Sequence, residues 1–284
     1  MKVVLPEKNV LNKKQIAVYV TIVIVCIISV VIAFCVQFYA RIDVGRMLGF
    51  KEESKLGKKT EEETEMLKTE FDQIFTNRIE QEEQDGKKKE EDKPLVYTKV
   101  EGKSNKLNSY DVDVHIPYIN MDNEIINRYN KEIEDFVYKT SSVLESENKN
   151  IIYTVEYVAN VQNGILSVMI RSNLKEGASA QRVIIQTYNY DLRNNKEISL
   201  DEILRIENVN QSELQDKIKK GITIEQKKVE DLKNLGYNIY SRDATSDIYQ
   251  IENSKEFYLT HDTLYIIYAY GNETFTSEMD LIVI

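Results

Sequence analysis

Residues 151–174 read IIYTVEYVANVQNGILSVMIRSNL, and the Asn163-Gly164 pair at their centre decides the fold class. Asn-Gly favours the left-handed two-residue turn whose twist matches that of paired strands, so the β-rich runs on either side form a hairpin. A third long strand follows in RVIIQTYNYDL, 182–192, turned by Arg193, Asn194 and Asn195. Toward the N-terminus, residues 110–118 alternate: Val112, Val114 and Ile116 face one way, Asp111, Asp113 and His115 the other. Leu95–Val100 predicts one more strand before them. Between these runs Ile125, Tyr129, Ile133, Phe136, Val137 and Leu144 keep to one face of a helix that Asn120 or Asp122 would cap. Toward the C-terminus, ISLDEIL opens a helical turn at Ser199, and Ser212 caps a longer polar helix reaching about Asn234. LYIIYAY and MDLIVI close the chain as strands around a turn near Gly271. The pattern predicts an α+β domain over 94–284, a mainly antiparallel sheet packed with two or three helices.

The chain before Pro94 is of another kind. Between Gln15 and Ala40 lie twenty-six residues without a charge, Gly or Pro. At about 1.5 Å per residue such a helix exceeds the ~30 Å hydrocarbon core, so 16–39 predicts a single transmembrane helix anchored in lipid. The run is longer than a signal-peptide core and no small-residue cleavage site follows it. Residues 1–15 would then be the cytoplasmic N-terminus. Lysine and arginine are balanced on the two sides of the run, so charge alone leaves orientation open. Residues 40–93 read as a charged stalk: of the forty-three residues from 51 to 93, fifteen are acidic and ten basic. Within it Leu67, Phe71, Ile74, Phe75 and Ile79 recur at helical spacing and predict a helix near 61–83. That apolar stripe either docks on the following domain or forms a short dimer seam.

Charge bounds the partners. The chain carries −10 overall; residues 1–40 hold four Lys and one Glu, which leaves −13 for the rest. Such a surface repels a phosphate backbone, which excludes nucleic acid as a partner, and draws cations or basic proteins toward it. The only cysteines, Cys26 and Cys35, fall inside the apolar run, so the domain has neither a disulfide framework nor a cysteine zinc site.

Taken in order, Gly164 to Ser167, Glu176 to Ala180, Tyr188 to Leu192 and Lys196 to Leu204 resemble a family pattern: a hairpin ending in Gly-x-Leu-Ser, a Gly-containing loop, a Tyr-Asn-x-Asp-Leu strand and a Lys-x-Ile-Ser-Leu turn. The pattern resembles the extracytoplasmic half of the lysozyme-sensing anti-sigma-V factor and the N-terminal region of PdaC-type peptidoglycan deacetylases. The resemblance spans about 108–284 and is strongest over 151–204. It implies a domain outside a bacterial cell, the N-terminus inside, and a possible contact surface at Glu176, Gly177, Ala178 and Ser179 with Tyr268 and Tyr270. This chain departs from the pattern in two places. Ser179 stands where the family often has His, and the aromatic-rich close is reduced to Tyr268-Ala269-Tyr270-Gly271. Neither the deacetylase catalytic domain nor an anti-sigma domain accompanies it.

No residue set builds a catalytic centre. His115 and His261 are the only histidines. Asp111, Asp113 and His115 share one strand face, yet alternation alone produces that arrangement in an exposed strand. His261-Asp262 reads as turn chemistry, and no nucleophile elbow, phosphate loop or H-E-x-x-H is present. Eighteen Tyr and no Trp fit sheet packing, with a tyrosine-lined contact face as the alternative. The expectation is a non-enzymatic, cofactor-free, single-pass cell-envelope protein: a binding or sensing module for peptidoglycan or a basic muramidase, or a structural envelope protein with no specific ligand.

Overall fold

Asn163 and Gly164 take φ of 52° and 75°, the left-handed pair that the hairpin requires. The computed structural model describes residues 56–76, 79–81, 88–146 and 150–284. The expected transmembrane helix at 16–39 lies outside the described residues. Among the described residues no helix is long and apolar enough to cross a membrane. In chain order the elements are α1 (Glu61–Thr69), a 3-10 turn (Phe71–Thr76), β1 (Ile79–Gln81), β2 (Val96–Lys106), β3 (Tyr110–Ile119), α2 (Glu124–Glu145), β4 (Ile151–Gln162), β5 (Ile165–Glu176), β6 (Arg182–Asp191), β7 (Lys196–Glu197), α3 (Leu200–Ile206), α4 (Gln211–Asn234), β8 (Glu256–Leu259), β9 (Leu264–Ala269) and β10 (Met279–Val283). The protein is α+β with four α-helices among the described residues.

Two sheets form. The larger runs β2-β3-β4-β5-β6-β7, with β1 beside the far half of β4; the smaller runs β10-β9-β8. Antiparallel pairing dominates. The exceptions are β3 with β4 and β1 with β4, which are parallel. The first follows from α2, which carries the chain back between strands that run the same way. Asn123, not Asn120 or Asp122, caps α2, its side chain accepting from the Ile126 N–H at 3.0 Å. Asn120 is fully buried and instead ties the chain before β2, donating to the Glu90 and Pro94 carbonyls and accepting from the Glu90 N–H. Ser199 caps α3 through a capping box with Glu202, and Asn210 rather than Ser212 caps α4.

Strand alternation sorts the core into layers. Tyr153, Val155 and Tyr157 of β4 join Val168 and Ile170 of β5 and Tyr188 of β6 against Ile126, Ile133 and Phe136 of α2. Val158, Met169 and Ile185 face the other way and meet Tyr258, Tyr265, Ile267 and Val283 of the small sheet. The far side of that sheet, Phe257, Leu264, Ile266 and Ile282, packs on Leu214, Ile218 and Ile222 of α4 and Ile203 of α3. The order is helix, sheet, sheet, helix.

The helix expected near 61–83 is shorter than its periodicity suggested. Capped by Thr60 in a capping box, α1 stops at Thr69 and tightens into the 3-10 turn. Its stripe faces inward: Phe71 and Phe75 are each 2% exposed, set edge to face at 5.9 Å, and Phe71 lies 5.6 Å from Tyr265. Arg171 lies 4.2 Å over the Phe75 ring and bonds Asp72 and Glu156. Charge density predicts a solvated stalk for this segment; two aromatic rings lodged between the sheets outweigh it. Phe71 and Phe75 share one buried cluster with Val158, Met169 and Tyr265.

Where the sheets meet, the outer edge of β8 is met by side chains of the large sheet. Thr187 Oγ1 accepts from the Phe257 N–H at 3.2 Å and Asn189 donates to the Phe257 carbonyl at 3.0 Å. Ser167 accepts from the Leu259 N–H and Asn160 donates to the Leu259 carbonyl, both at 3.1 Å. At the start of β8 the Glu256 carboxylate accepts from Thr187 N–H and hydroxyl at 2.7 and 2.9 Å. Burial nevertheless pushes its pKa up to about 7.

Two outcomes follow from this packing. Phe71→Ala should lower the free energy of unfolding by about 3–5 kcal/mol, whereas Met66→Ala, half exposed on α1, should change it by less than about 0.5 kcal/mol in urea titrations. Equal small effects would return the segment to a solvated stalk. For Glu256, the native state holds its proton more tightly than the unfolded chain, so stability should fall as pH rises from about 4.5 to about 7. Glu256→Gln should flatten melting temperature across that window, and an unchanged slope would remove Glu256 as its source.

Candidate functional site

Glu176 ends β5, and Gly177 turns the chain with a φ of 58°. The turn is anchored by Gly177 N–H donating to the Asn150 carbonyl and Ser179 N–H to the Glu176 carbonyl, each at 3.1 Å. Ala178 and Ser179 are exposed, and Glu176 lies 3.7 Å from Lys139 of α2. Beside this turn sits the β2–β3 turn, where Asn108 takes a φ of 57°, and the first residues of β4, preceded by Asn150 at 60°. Asn adopts this region because its short side chain bonds locally. Together the 105–111 turn, residues 150–152, Lys175 and Gly177 enclose an open hollow of about 250 Å³. Leu107, 86% exposed, and Ile152 stand on its rim. Its lining also includes the polar side chains of Asn105, Lys106, Asp111 and Lys175.

Tyr268 and Tyr270 are elsewhere and inside. They are 7% and 5% exposed, and their hydroxyls bond within the protein. Tyr268 meets Ser254 at 3.0 Å; Tyr270 meets Tyr249 at 2.6 Å and donates to Asp280. Tyr240 stacks on the Tyr270 ring at 4.1 Å, and the Arg242 guanidinium lies 4.9 Å from its centre. Arg242 forks onto both Asp280 oxygens at 3.1 Å and also bonds Glu278 and the Tyr240 carbonyl. Burial, and Asp280 beside it, raise the Tyr270 hydroxyl far above its ordinary pKa; burial lifts Tyr249 to about 12. A buried ion pair with its remaining donors satisfied fixes geometry. Here it pins the chain after α4 to β10. The two tyrosines therefore share no surface with the 176–179 turn, and their sequence pattern could not reveal that Tyr240, Arg242, Tyr249 and Ser254, from the segment after α4, bond to and pack on them.

His115 lies 3.3 Å from Asp113 on its own strand and 3.5 Å from Glu101 across the β2–β3 pair. Asp113 is engaged by Lys103 at 2.6 Å, and that bond holds its carboxyl below the usual range. No group of three or more metal-ligating side chains stands together among the described residues. His261 contributes its carbonyl, which accepts from Gln162 at 2.6 Å.

No protein-family model and no curated protein matches the chain. Among the solved structures similar to it in part are two bacterial proteins. A DUF3298 family protein of Pseudomonas aeruginosa PAO1 is 14% identical, with 67% of this chain and 90% of that one covered and a TM-score of 0.40. A DUF3298 member from Bacteroides fragilis NCTC 9343 is 13% identical, with 61% and 81% covered and a TM-score of 0.34. Neither description names an activity or a ligand, and no residue role is carried across from them.

Proposed function

We propose that this chain is a membrane-anchored, extracytoplasmic binding or sensing module of the bacterial envelope, without catalytic activity or cofactor. In this reading 16–39 holds it in the membrane, the N-terminus is inside, and the domain recognises a wall glycan or a wall hydrolase. The observation that supports it most directly is the convergence of the 105–111 turn and Gly177 at one end of the sheet, with Leu107 exposed in the lining of the hollow between them. An exposed apolar residue on a loop held by a rigid sheet is the common form of a recognition surface. The second support is charge: residues 94–284 hold thirty acidic and twenty-one basic side chains. Such a module meets cationic muramidases with accelerated encounter, while the departures at Ser179 and Tyr268–Gly271 argue against the tight recognition that the family resemblance implies. A structural envelope protein, its domain serving as a spacer, is the second reading.

Two measurements test it. Ser141→Cys, on the exposed face of α2, should react with a membrane-impermeant maleimide in intact cells; labelling only after lysis would reverse the topology. The full chain in detergent should bind lysozyme weakly at low salt and lose that binding at physiological salt. Leu107→Ser should weaken it further, about tenfold. Absence of saturable binding to lysozyme or to purified wall at low salt would favour the spacer.

A further inference from the structure

The turn that joins β4 to β5 holds the chain's only Asn-Gly pair, Asn163 and Gly164, and that pair is reactive as well as left-handed. An Asn side-chain amide followed by Gly can close on the next backbone nitrogen, because no Cβ stands in the path of attack. Five asparagines of the described chain take a positive φ: Asn108, Asn150, Asn163, Asn195 and Asn208. Four of them are hindered. The amides that follow Asn108, Asn150 and Asn208 are engaged: Ser109 N–H donates to the Lys106 carbonyl, Ile151 N–H to Ser109 and Val209 N–H to Leu204, each at 2.9 Å. Asn195 precedes the long Lys196, and its own side chain accepts from the Tyr190 hydroxyl at 3.5 Å. Asn163 is exposed, and neither its side chain nor the Gly164 N–H makes a hydrogen bond among the described residues.

Two neighbours give the turn its consequence. Arg193 lies across Gly164: a Cβ added there would meet its Nε at 2.6 Å and its Cγ at 2.9 Å. The Arg193 guanidinium forms no ion pair among the described residues, so a positive charge rests on the turn without a carboxylate. Gln162 Nε2 donates to the His261 carbonyl at 2.6 Å and ties the hairpin to the turn before β9. We propose that Asn163 is a self-modification site that converts to aspartate and isoaspartate, setting a carboxylate beside Arg193 and loosening the Gln162–His261 tie. In the first step the Gly164 nitrogen bonds to Asn163 Cγ, the Cγ–Nδ2 bond breaks, and the Gly164 proton leaves with Nδ2 as ammonia. Water then opens the succinimide ring at either carbonyl. One opening restores the main chain with an aspartate side chain; the other routes the main chain through Cβ and Cγ as isoaspartate. A guanidinium beside the turn favours both the amide anion that attacks and the carboxylate that forms. Isoaspartate adds one backbone atom to a two-residue turn whose register sets Gln162 opposite Ile165.

The test keeps the full chain, folded in detergent, in mildly alkaline buffer at physiological temperature and maps its peptides by mass. Amide-to-acid conversion at Asn163 should run about tenfold or more ahead of Asn108, Asn150 and Asn208, whose following amides must first leave a hydrogen bond. Protein isoaspartate methyltransferase should label the aged chain. Asn163→Gly, which suits the left-handed turn but carries no amide, should remove that label. The isoaspartate fraction should exchange hydrogen faster at amides of 260–264 than the freshly prepared chain. Conversion at Asn163 no faster than at the other three, conversion only after unfolding in urea, or a label that survives Asn163→Gly would overturn the site. Unchanged exchange at 260–264 in the isoaspartate form would overturn its coupling to the small sheet.

Discussion

The small sheet ends in a strand whose outer edge is buried, and everything above and below that edge depends on how its backbone groups are met. An unpaired N–H or C=O inside a protein costs about 1–3 kcal/mol, and β8 presents four of them toward the large sheet. The solution is a row of short polar side chains, one or two from each of β4, β5 and β6, standing among Val158, Met169 and Ile185. Asn160, Ser167, Thr187 and Asn189 replace the partner strand that the edge lacks. Ser167 and Asn189 also bond each other at 2.6 Å, so neither can be truncated without loosening the other's geometry. Because these positions fix where β8 lies, they fix the small sheet, and through it α4 and the buried Arg242–Asp280 pair.

The hairpin was legible because its signal is local: Asn163-Gly164 needs only two residues and the alternation around them. The same holds for α2, whose apolar face is continuous over six turns, and for Ser199 with Glu202, a capping box written in four residues. What sequence hid were decisions made at a distance. The run EFYL, 256–259, is too short to stand out, and its edge is completed by residues from three other strands. Asn160, Ser167, Thr187 and Asn189 read as weak points in otherwise apolar strands, because nothing local shows that they face a buried backbone. Phe71 and Phe75 sit in a segment whose composition argues for solvent, and only the aromatic spacing hinted otherwise.

The candidate site divides along the same line. The 176–179 turn is a local feature and lies exposed, as turns with Gly do. Tyr268 and Tyr270 carry no mark that separates an interface tyrosine from an interior one, since either needs an apolar ring and a bonded hydroxyl.

Phe71 and Tyr265 stand near the two ends of the described chain, yet their rings touch. A core closed by contacts so far apart in sequence forms late, because the loop between them must be ordered before the contact stabilises it. Until the small sheet arrives, one face of the large sheet presents Met169, Val158 and Ile185 to water. A chain without the small sheet in place would expose that apolar face to another chain in the same state. The polar row along that face then has a kinetic role as well, because Asn160, Ser167 and Asn189 interrupt a surface that would otherwise bind any passing strand.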